Sequence, residues 1–339
     1  MPERTALPIS VVIPTYQRRE RVGVALAALA RQTVPPSDYE VIVAIDGSTD
    51  GTREMIERLD VPYALASTWS ENRGRAAACN AGIAVARGKL LVLLDDDMAP
   101  EPSFLGAHLR AHARDTRLGV LGAVPILVDP DSPPLRRYIG TKFNRHLDKI
   151  GRDDYTLDLR DFYSGNFSLA TDVMREVGAF DEAFRAYGNE DLELFLRLSR
   201  AGVRFRFEPD AMAQQDFDKN FEQLARDNIA KGRTAVLLAS KHPEAFGRLK
   251  LGTYNEGPLP LRLVRNALLL SSRVWPELPD WIVRFTRWLE RRGRANLTRY
   301  YVLALGYFYW LGASAALREN RAAGTGLRSL REPGAVTGR

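Results

Sequence analysis

The chain has 339 residues, 45% of them hydrophobic and 27% charged, with a single cysteine, Cys79. That length gives room for about two domains, and the composition excludes collagen-like, mucin-like and wholly disordered chains. One thiol excludes a disulfide framework and any multi-thiolate zinc or iron–sulfur centre, so a reducing compartment is expected.

Charge is unevenly spread. The net charge is +6, yet Lys241–Arg339 holds 17 basic against 7 acidic residues while residues 1–240 hold 31 against 35. A basic surplus at one end points to an anionic surface as partner, either nucleic acid or the cytoplasmic face of a membrane. No nucleic-acid-binding motif accompanies it, so nucleic acid is not expected. The opening MPERTALPIS (Met1–Ser10) lacks the basic and apolar regions of a secretory signal, so a cytoplasmic chain is expected.

In chain order, an apolar run from Ile9 to Ile13 ends at Pro14. Val22, Leu26 and Leu29 then recur at helical spacing. Glu40–Ile45 (EVIVAI) reads as a second strand, closed by the turn cluster DGSTDGT. Thr52–Leu59 reads as a short helix, Tyr63–Ser67 as a third strand and Arg75–Ala86 as a helix. Lys89–Leu94 (KLLVLL) reads as a fourth strand running into Asp95, Asp96 and Asp97.

Strand–helix alternation with apolar strands predicts a mostly parallel sheet covered on both faces. Ligands of such sheets bind beyond the carboxyl ends of the strands, where Pro14, Thr15, Asp46 and Asp95–Asp97 fall. Phe162–Phe207 reads as mixed α and β, with a helix over about Glu190–Ala201, Asn189 at its N-cap position and Gly202 as its stop. Beyond Lys241 the chain reads as basic, aromatic-rich helices broken by Pro258, Pro260, Pro276 and Pro279, and residues 321–339 read as a disordered tail.

Three adjacent carboxylates at a buried strand end repel one another unless a cation offsets them. A divalent ion held by one or two of their oxygens, with phosphates supplying the rest, is the simplest account; a solvated turn opening a helix is the alternative. Asp46 is either an Asx-turn residue or an acceptor for a base N–H or ribose hydroxyl. Glu190 and Asp191 complement a helix dipole, and a carboxylate there could also take a proton from an attacking hydroxyl. Cys79, within Ala76–Cys79, reads as a packed residue. His108 and His112 read as surface or packing residues, since Leu109 breaks the HExxH pattern. Neither GxGxxG after the first strand nor a P-loop is present, which argues against a dinucleotide-binding dehydrogenase and an ATPase.

Together the segments SVVIPTYQR (Ser10–Arg18), VAIDGSTDGT (Val43–Thr52), ENRGRAAACNAGI (Glu71–Ile83), LLDDDMAP (Leu93–Pro100), SGNFSLATDVMREVGAFDE (Ser164–Glu182) and NEDLELFLRLSRAG (Asn189–Gly202) resemble family 2 glycosyltransferases of the GT-A fold, over about residues 8–218. The resemblance implies a catalytic domain over 1–240, with a nucleotide-sugar half at about 8–130 and an acceptor half at about 131–240. A helical extension would follow over 241–320.

It implies an inverting hexosyl transfer from a nucleoside-diphosphate sugar, UDP-sugar favoured, to an acceptor hydroxyl. Mn²⁺ or Mg²⁺ would assist. Pro14 and Thr15 would lie against the base, and Asp46 would bond the base or ribose. Arg75, or else Arg73, would meet the nucleotide or its phosphates. Asp95, Asp96 and Asp97 would match the DxD region, with Asp96 near the ribose and Asp97 on the metal. Gly165 and Asn166 would approach the sugar or acceptor, Asp191 would be the general base, and Glu190 would bind sugar or acceptor.

Two positions depart from the family. Cys79 stands where arginine is frequent, and Ala213–Asp216 has no histidine near the metal, leaving Asp216, a glutamine, or phosphate and water in its place. The acceptor could be a lipid-linked glycan, a polysaccharide or a small natural product, and a homo-oligomer is compatible. A nucleotidyltransferase is the alternative enzyme, although PTYQRRER lacks the glycine-rich loop of that class; an inactive scaffold is the alternative outside catalysis. Tyr300–Leu317 has no charged residue and could span a membrane, pack against the catalytic domain or a partner subunit, or lie at a membrane interface helped by Trp275, Trp281, Trp288 and the arginines; the last two leave the chain wholly cytoplasmic or peripheral on the inner face, respectively.

Overall fold

The computed structural model describes residues 7–115, 117–293 and 297–322. They form two compact units, one ending at Lys219 and the other starting at Asn220. The boundary expected after residue 240 falls at the C-terminal end of the helix Phe221–Lys241, which lies whole within the second unit. The tail expected over 321–339 lies, from 323 onward, outside the described residues.

The first unit opens with β1 (Ile9–Thr15), α1 (Arg19–Leu29), β2 (Tyr39–Asp46), α2 (Thr52–Arg58), β3 (Ala64–Ser70), α3 (Arg75–Val85) and β4 (Leu90–Leu94). These β and α elements fall within a few residues of their expected positions. Next come β5 (Met98–Pro100), α4 (Phe104–His112), β6 (Leu118–Gly122), α5 (Pro134–Ile150), β7 (Asn166–Ala170), α6 (Thr171–Glu176), α7 (Glu190–Arg200), β8 (Arg204–Glu208) and β9 (Ala213–Gln215).

Seven strands make one sheet in the order β3-β2-β1-β4-β7-β6-β8, and β5 pairs with β9 in a second, two-stranded sheet. β1, β2, β3 and β4 run parallel, whereas β7 is antiparallel to both β4 and β6.

Every residue of β1, β2 and β4 is buried, as the continuous apolar runs require of strands covered on both faces. Ile9, Val11 and Ile13 join Val41, Val43 and Ile45 of β2 and Val22, Leu26 and Leu29 of α1 in one cluster. Val12 points to the other face, so close to α3 that a Cβ on Gly82 would meet it at 2.5 Å. Each such Val, Leu or Ile contributes about 1.5–3 kcal/mol on burial. β3 is one of the two edge strands, with exposed residues along its length, and it extends to Ser70 rather than stopping near Ser67.

Strand order reverses between β1 and β4, which are neighbours although a βαβαβ length of chain separates them. The carboxyl ends of these two strands therefore flank the crevice where such folds bind ligands. Thr15 ends one strand, and Asp95, Asp96 and Asp97 follow the other.

The second unit is helical: α8 (Phe221–Lys241), α9 (Leu259–Val274), α10 (Leu278–Arg291) and α11 (Thr298–Ala322). Pro260 and Pro279 lie in the first turns of α9 and α10, where a missing N–H costs nothing, so these residues start helices as well as break them. α8 and α11 cross in close contact. A Cβ on Gly232 would fall 2.0 Å from the Tyr309 carbonyl oxygen, and one on Gly312 would fall 2.0 Å from that of Ile229. Tyr301, Tyr307, Phe308 and Ala313 of α11 are buried, with Tyr301 and Phe308 against Phe221. Among the described residues Thr298–Asn320 alone is long and apolar enough to cross a membrane, and more than half of its apolar window is buried inside the fold.

Candidate active site

β4 ends in the fully buried Leu94 and releases three carboxylates at once. Each takes a different partner. Asp96 is buried; it accepts from Thr15 Oγ1 at 2.8 Å through Oδ2 and from Arg18 Nη1 at 2.8 Å through Oδ1. Burial raises its pKa above the usual carboxylate value, against the pull of Arg18 and the Thr15 hydroxyl. Asp95 turns toward α3, where Arg75 Nη2 and Nε reach its Oδ1 at 2.6 and 3.1 Å. Its backbone N–H donates to the Gly165 carbonyl at 2.8 Å, and a Cβ on Gly165 would come within 2.5 Å of Asp95 Oδ2, so a side chain there would displace the Asp95 carboxylate.

Asp97 is the least satisfied of the three. Gln215 Nε2 stands 3.4 Å from its Oδ2, Arg18 Nη1 is 3.7 Å away, and Oδ1 is buried without a hydrogen-bond partner. Burial, then the like charges of Asp95 and Asp96, push its pKa up to about 6. An unpartnered, charge-crowded carboxylate oxygen is what a single-carboxylate cation ligand requires. Among the described residues no group of three or more His, Cys, Asp or Glu is arranged to hold a metal. The donor set therefore suits an ion completed by a ligand's oxygens and does not suit an all-protein cage.

Arg75 opens α3 and is the hub of the site. Besides Asp95, its Nη1 donates to Ser164 Oγ at 2.9 Å and to Asp191 Oδ1 at 3.4 Å, with Glu190 Oε1 at 4.0 Å. Burial opposes the guanidinium charge, but Asp95 foremost, then Asp191 and Glu190, hold its pKa well above the ordinary value. The Ser164 hydroxyl in turn donates to Asp191 Oδ1. Glu190 and Asp191 begin α7, preceded by Asn189 at a left-handed φ of 68°. Asp191 remains partly exposed while Glu190 is buried with Oε2 unpartnered. Burial, then the neighbouring Asp191 charge, push Glu190 up to about 7.

The structure thus brings together Thr15, Arg75, Asp95, Asp96, Asp97, Glu190 and Asp191. Of the two arginines weighed, Arg75 faces the carboxylates, whereas Arg73 Nη2 pairs with Glu182 at 2.6 Å. Asp46 and Asn166 both make hydrogen bonds within the protein. Asp46 accepts the Arg73 N–H at 2.7 Å and the Gly74 N–H at 3.0 Å, latching the loop that delivers Arg75. Asn166 is fully buried: its amide donates to the Ala123 and Ala211 carbonyls at 3.1 and 2.8 Å and its Oδ1 meets His108 Nε2 at 3.0 Å. Pro14 is buried within β1.

His108 and His112 are packing residues: Ser168 Oγ lies 2.7 Å from His108 Nδ1 and 2.8 Å from His112 Nε2. Burial lowers their pKa to about 3 and about 4. Cys79 is buried on α3, and burial pushes its thiol up to about 12.

The family motifs assign no role to Arg18 or Ser164, and Gln215 is one of two glutamines in the stretch lacking histidine. The signal for Arg18 is its place just past β1, beside the carboxylates that follow β4. Gln215 faces Asp97, while the Asp216 carboxylate turns away to Arg21 at 3.1 Å and Arg136 at 3.8 Å. At the position of the missing histidine the side chain nearest Asp97 is therefore a neutral amide.

Residues 10–178 match the family described as Glycosyl transferase family 2, and residues 145–217 match the one described as N-terminal domain of galactosyltransferase. Glycosyltransferase AglE of Haloferax volcanii is 37% identical over 236 residues, 69% of this chain and 75% of that protein. Validoxylamine A glucosyltransferase of Streptomyces hygroscopicus subsp. limoneus is 32% identical over 219 residues, 58% of this chain and 48% of its own. The chain thus spans about half the length of that relative. A mannosyltransferase from Pyrobaculum calidifontis, PcManGT, solved with GDP-Man and Mn²⁺, superposes with a TM-score of 0.56 at 19% identity, covering 93% of this chain and 88% of that one, and shares the fold.

The mostly parallel seven-stranded sheet flanked by helices is the GT-A fold, shared with that structural neighbour. The chain belongs to glycosyltransferase family 2.

Proposed function

We propose that this protein is an inverting glycosyltransferase that moves a sugar from a nucleoside-diphosphate sugar, a UDP-sugar first among the candidates, to an acceptor hydroxyl. The observation that carries the reading is the single guanidinium of Arg75 set between Asp95 at the end of β4 and Asp191 at the start of α7. It joins a phosphate-side carboxylate to a carboxylate with one exposed flank, as a displacement at an anomeric carbon needs.

Asp191 accepts the proton of the attacking hydroxyl as the new glycosidic bond forms, and the bond from the anomeric carbon to the diphosphate oxygen breaks with its electron pair leaving on the diphosphate. The Ser164 hydroxyl, donating to Asp191, fixes which carboxylate oxygen is free to take that proton. Arg75 offers a fixed positive charge to the diphosphate. Thr15 and Arg18 hold Asp96 in place, and Glu190, buried beside Asp191, lines the sugar or acceptor side.

A divalent cation, Mn²⁺ or Mg²⁺, fits at Asp97 beside Gln215 and, when bound, would neutralise charge on the leaving diphosphate. PcManGT was solved with Mn²⁺ and a nucleotide sugar, which supports this assignment.

A thermal-shift panel of UDP, GDP and dTDP, each with and without Mn²⁺, tests the reading. A metal-dependent rise in melting temperature with one of them is expected, and transfer from the matching sugar nucleotide should follow. No shift with any nucleotide would leave the inactive-scaffold reading standing.

A further inference from the structure

Helices α9 and α10 turn their apolar faces outward. On α9, Leu263, Leu270 and Val274 recur at i, i+7 and i+11 and are 59%, 61% and 84% exposed, and no residue of that helix is fully buried. Three polar residues of α9, Arg262, Arg265 and Ser272, face inward, while Asn266, Ser271 and Arg273 are exposed beside the apolar stripe. Arg265 lies over the rings of Tyr254 at 4.1 Å and Trp310 at 5.3 Å, Arg262 Nε is buried without a partner, and Ser272 bonds the Tyr307 hydroxyl at 2.6 Å. On α10 the exposed stripe is Trp281, Phe285 and Trp288, with Arg284 over Trp281 at 5.9 Å and Arg292 over Trp288 at 4.3 Å. On α10 Leu289 is buried and Ile282 and Val283 are half-buried, so the outward stripe is apolar surface beyond what that helix packs inside; contiguous exposed apolar patches of this kind mark interaction surfaces.

We infer that this face docks the protein on an anionic lipid bilayer, with the Leu, Val, Trp and Phe stripe entering the headgroup–acyl boundary and the arginines meeting lipid phosphates. Charge selects the bilayer over other occupants. Of the seven arginines in residues 259–292, Arg273, Arg284, Arg291 and Arg292 are exposed, against the exposed carboxylates of Glu277 and Asp280, and the C-terminal third as a whole is strongly basic. A second copy would set this surplus against itself, whereas an anionic leaflet complements it at about 1 kcal/mol per arginine, roughly a fivefold gain each. Tryptophan and arginine side by side on a helix face suit the interface, where rings sit at headgroup depth and guanidinium groups snorkel. Because α11 is packed on α8, the attachment is peripheral. It stands independently of the glycosyl-transfer reading.

The test is cosedimentation of the full chain with vesicles of phosphatidylcholine alone and of phosphatidylcholine with about one third phosphatidylglycerol. Binding to the anionic vesicles is expected, at least about tenfold stronger than to the neutral ones. The variant Trp281→Ser/Phe285→Ser/Trp288→Ser should lose about tenfold or more in partitioning to both vesicles. Arg284→Gln/Arg292→Gln should lose binding only to the anionic ones. All these side chains are exposed, so both variants should keep the wild-type melting temperature, and the arginine pair remains informative if the triple variant does not fold. Failure of the wild type to sediment with anionic vesicles would overturn the proposal. So would undiminished binding by both folded variants, or a dimer that the triple variant converts to monomer without any vesicle binding by the wild type.

Discussion

Arg75 Nη1 stands 3.4 Å from Asp191 Oδ1 while Nη2 of the same guanidinium stands 2.6 Å from Asp95 Oδ1. Two carboxylates from opposite ends of the site share one cation, and the buried Glu190 lies 4.0 Å from it. Arg75→Gln should therefore release repulsion among three acidic groups and destabilise the first unit by about 2–3 kcal/mol, less than a fully buried pair would because all but Glu190 retain some exposure. Chemical denaturation measures this. Adding Asp95→Asn should recover part of the loss, and a double variant no more stable than Arg75→Gln alone would show that the cation does not balance Asp95.

Asp191→Asn keeps the side-chain shape and its Ser164 contact but removes the proton acceptor. Nucleoside-diphosphate affinity should stay within a few-fold while transfer falls by about a thousandfold or more, a loss in kcat alone. Unchanged turnover would remove Asp191 from the mechanism.

Asp97→Asn should separate stability from function. A buried carboxylate with an unpartnered Oδ1 is costly when charged, so the ligand-free variant should melt no lower than the wild type. The Mn²⁺-dependent part of the nucleoside-diphosphate thermal shift should vanish. Retention of that part would place the cation elsewhere.

Glu190, pushed up to about 7 by burial and by Asp191, carries a pH signature. The folded chain holds its proton up to about pH 7, whereas the unfolded chain releases it near the ordinary value of 4.5. Between these values the folded state binds more protons, so rising pH costs stability, and above about 7 the loss is complete. Glu190→Gln escapes the penalty. It should be more stable than the wild type by about 1–3 kcal/mol at pH 8 and nearly equal to it at pH 4.5. An equal difference at both pH values would refute the titration.

Asn166→Ala should act on the fold. It leaves the Ala211 carbonyl and His108 Nε2 without their Asn166 partner, while the Ala123 carbonyl keeps the Ala213 N–H at 2.9 Å, at about 2–4 kcal/mol. Its melting temperature should fall, while nucleotide affinity measured below the melt stays near wild type. A loss of affinity without a loss of stability would return Asn166 to the ligand.

The first four strands, the helices between them and the helix at Glu190 were legible because each is a local pattern: apolar runs, helical spacing, and glycine or proline stops. The polar residues at the strand ends were legible for the same reason, since a parallel sheet gathers those ends on one edge wherever its strands lie. The antiparallel β7 between β4 and β6 was not, because strand order is set by long-range pairing. Neither the Asp46 latch on the Arg73 and Gly74 amides nor the inward turn of Asn166 leaves a sequence signal; a carboxylate or amide reads the same whether it meets a ligand or a backbone.

Sequence alone determined the α/β class, the family motifs and the acidic edge. Tertiary structure decided which oxygen each cation meets. Arg75 reaches Asp95 across 20 residues and Asp191 across 116, a distance only the packing of α3 against the sheet can close. It also decided that the apolar stripes of α9 and α10 face outward, because helical periodicity defines a face but only neighbouring helices determine which way it points.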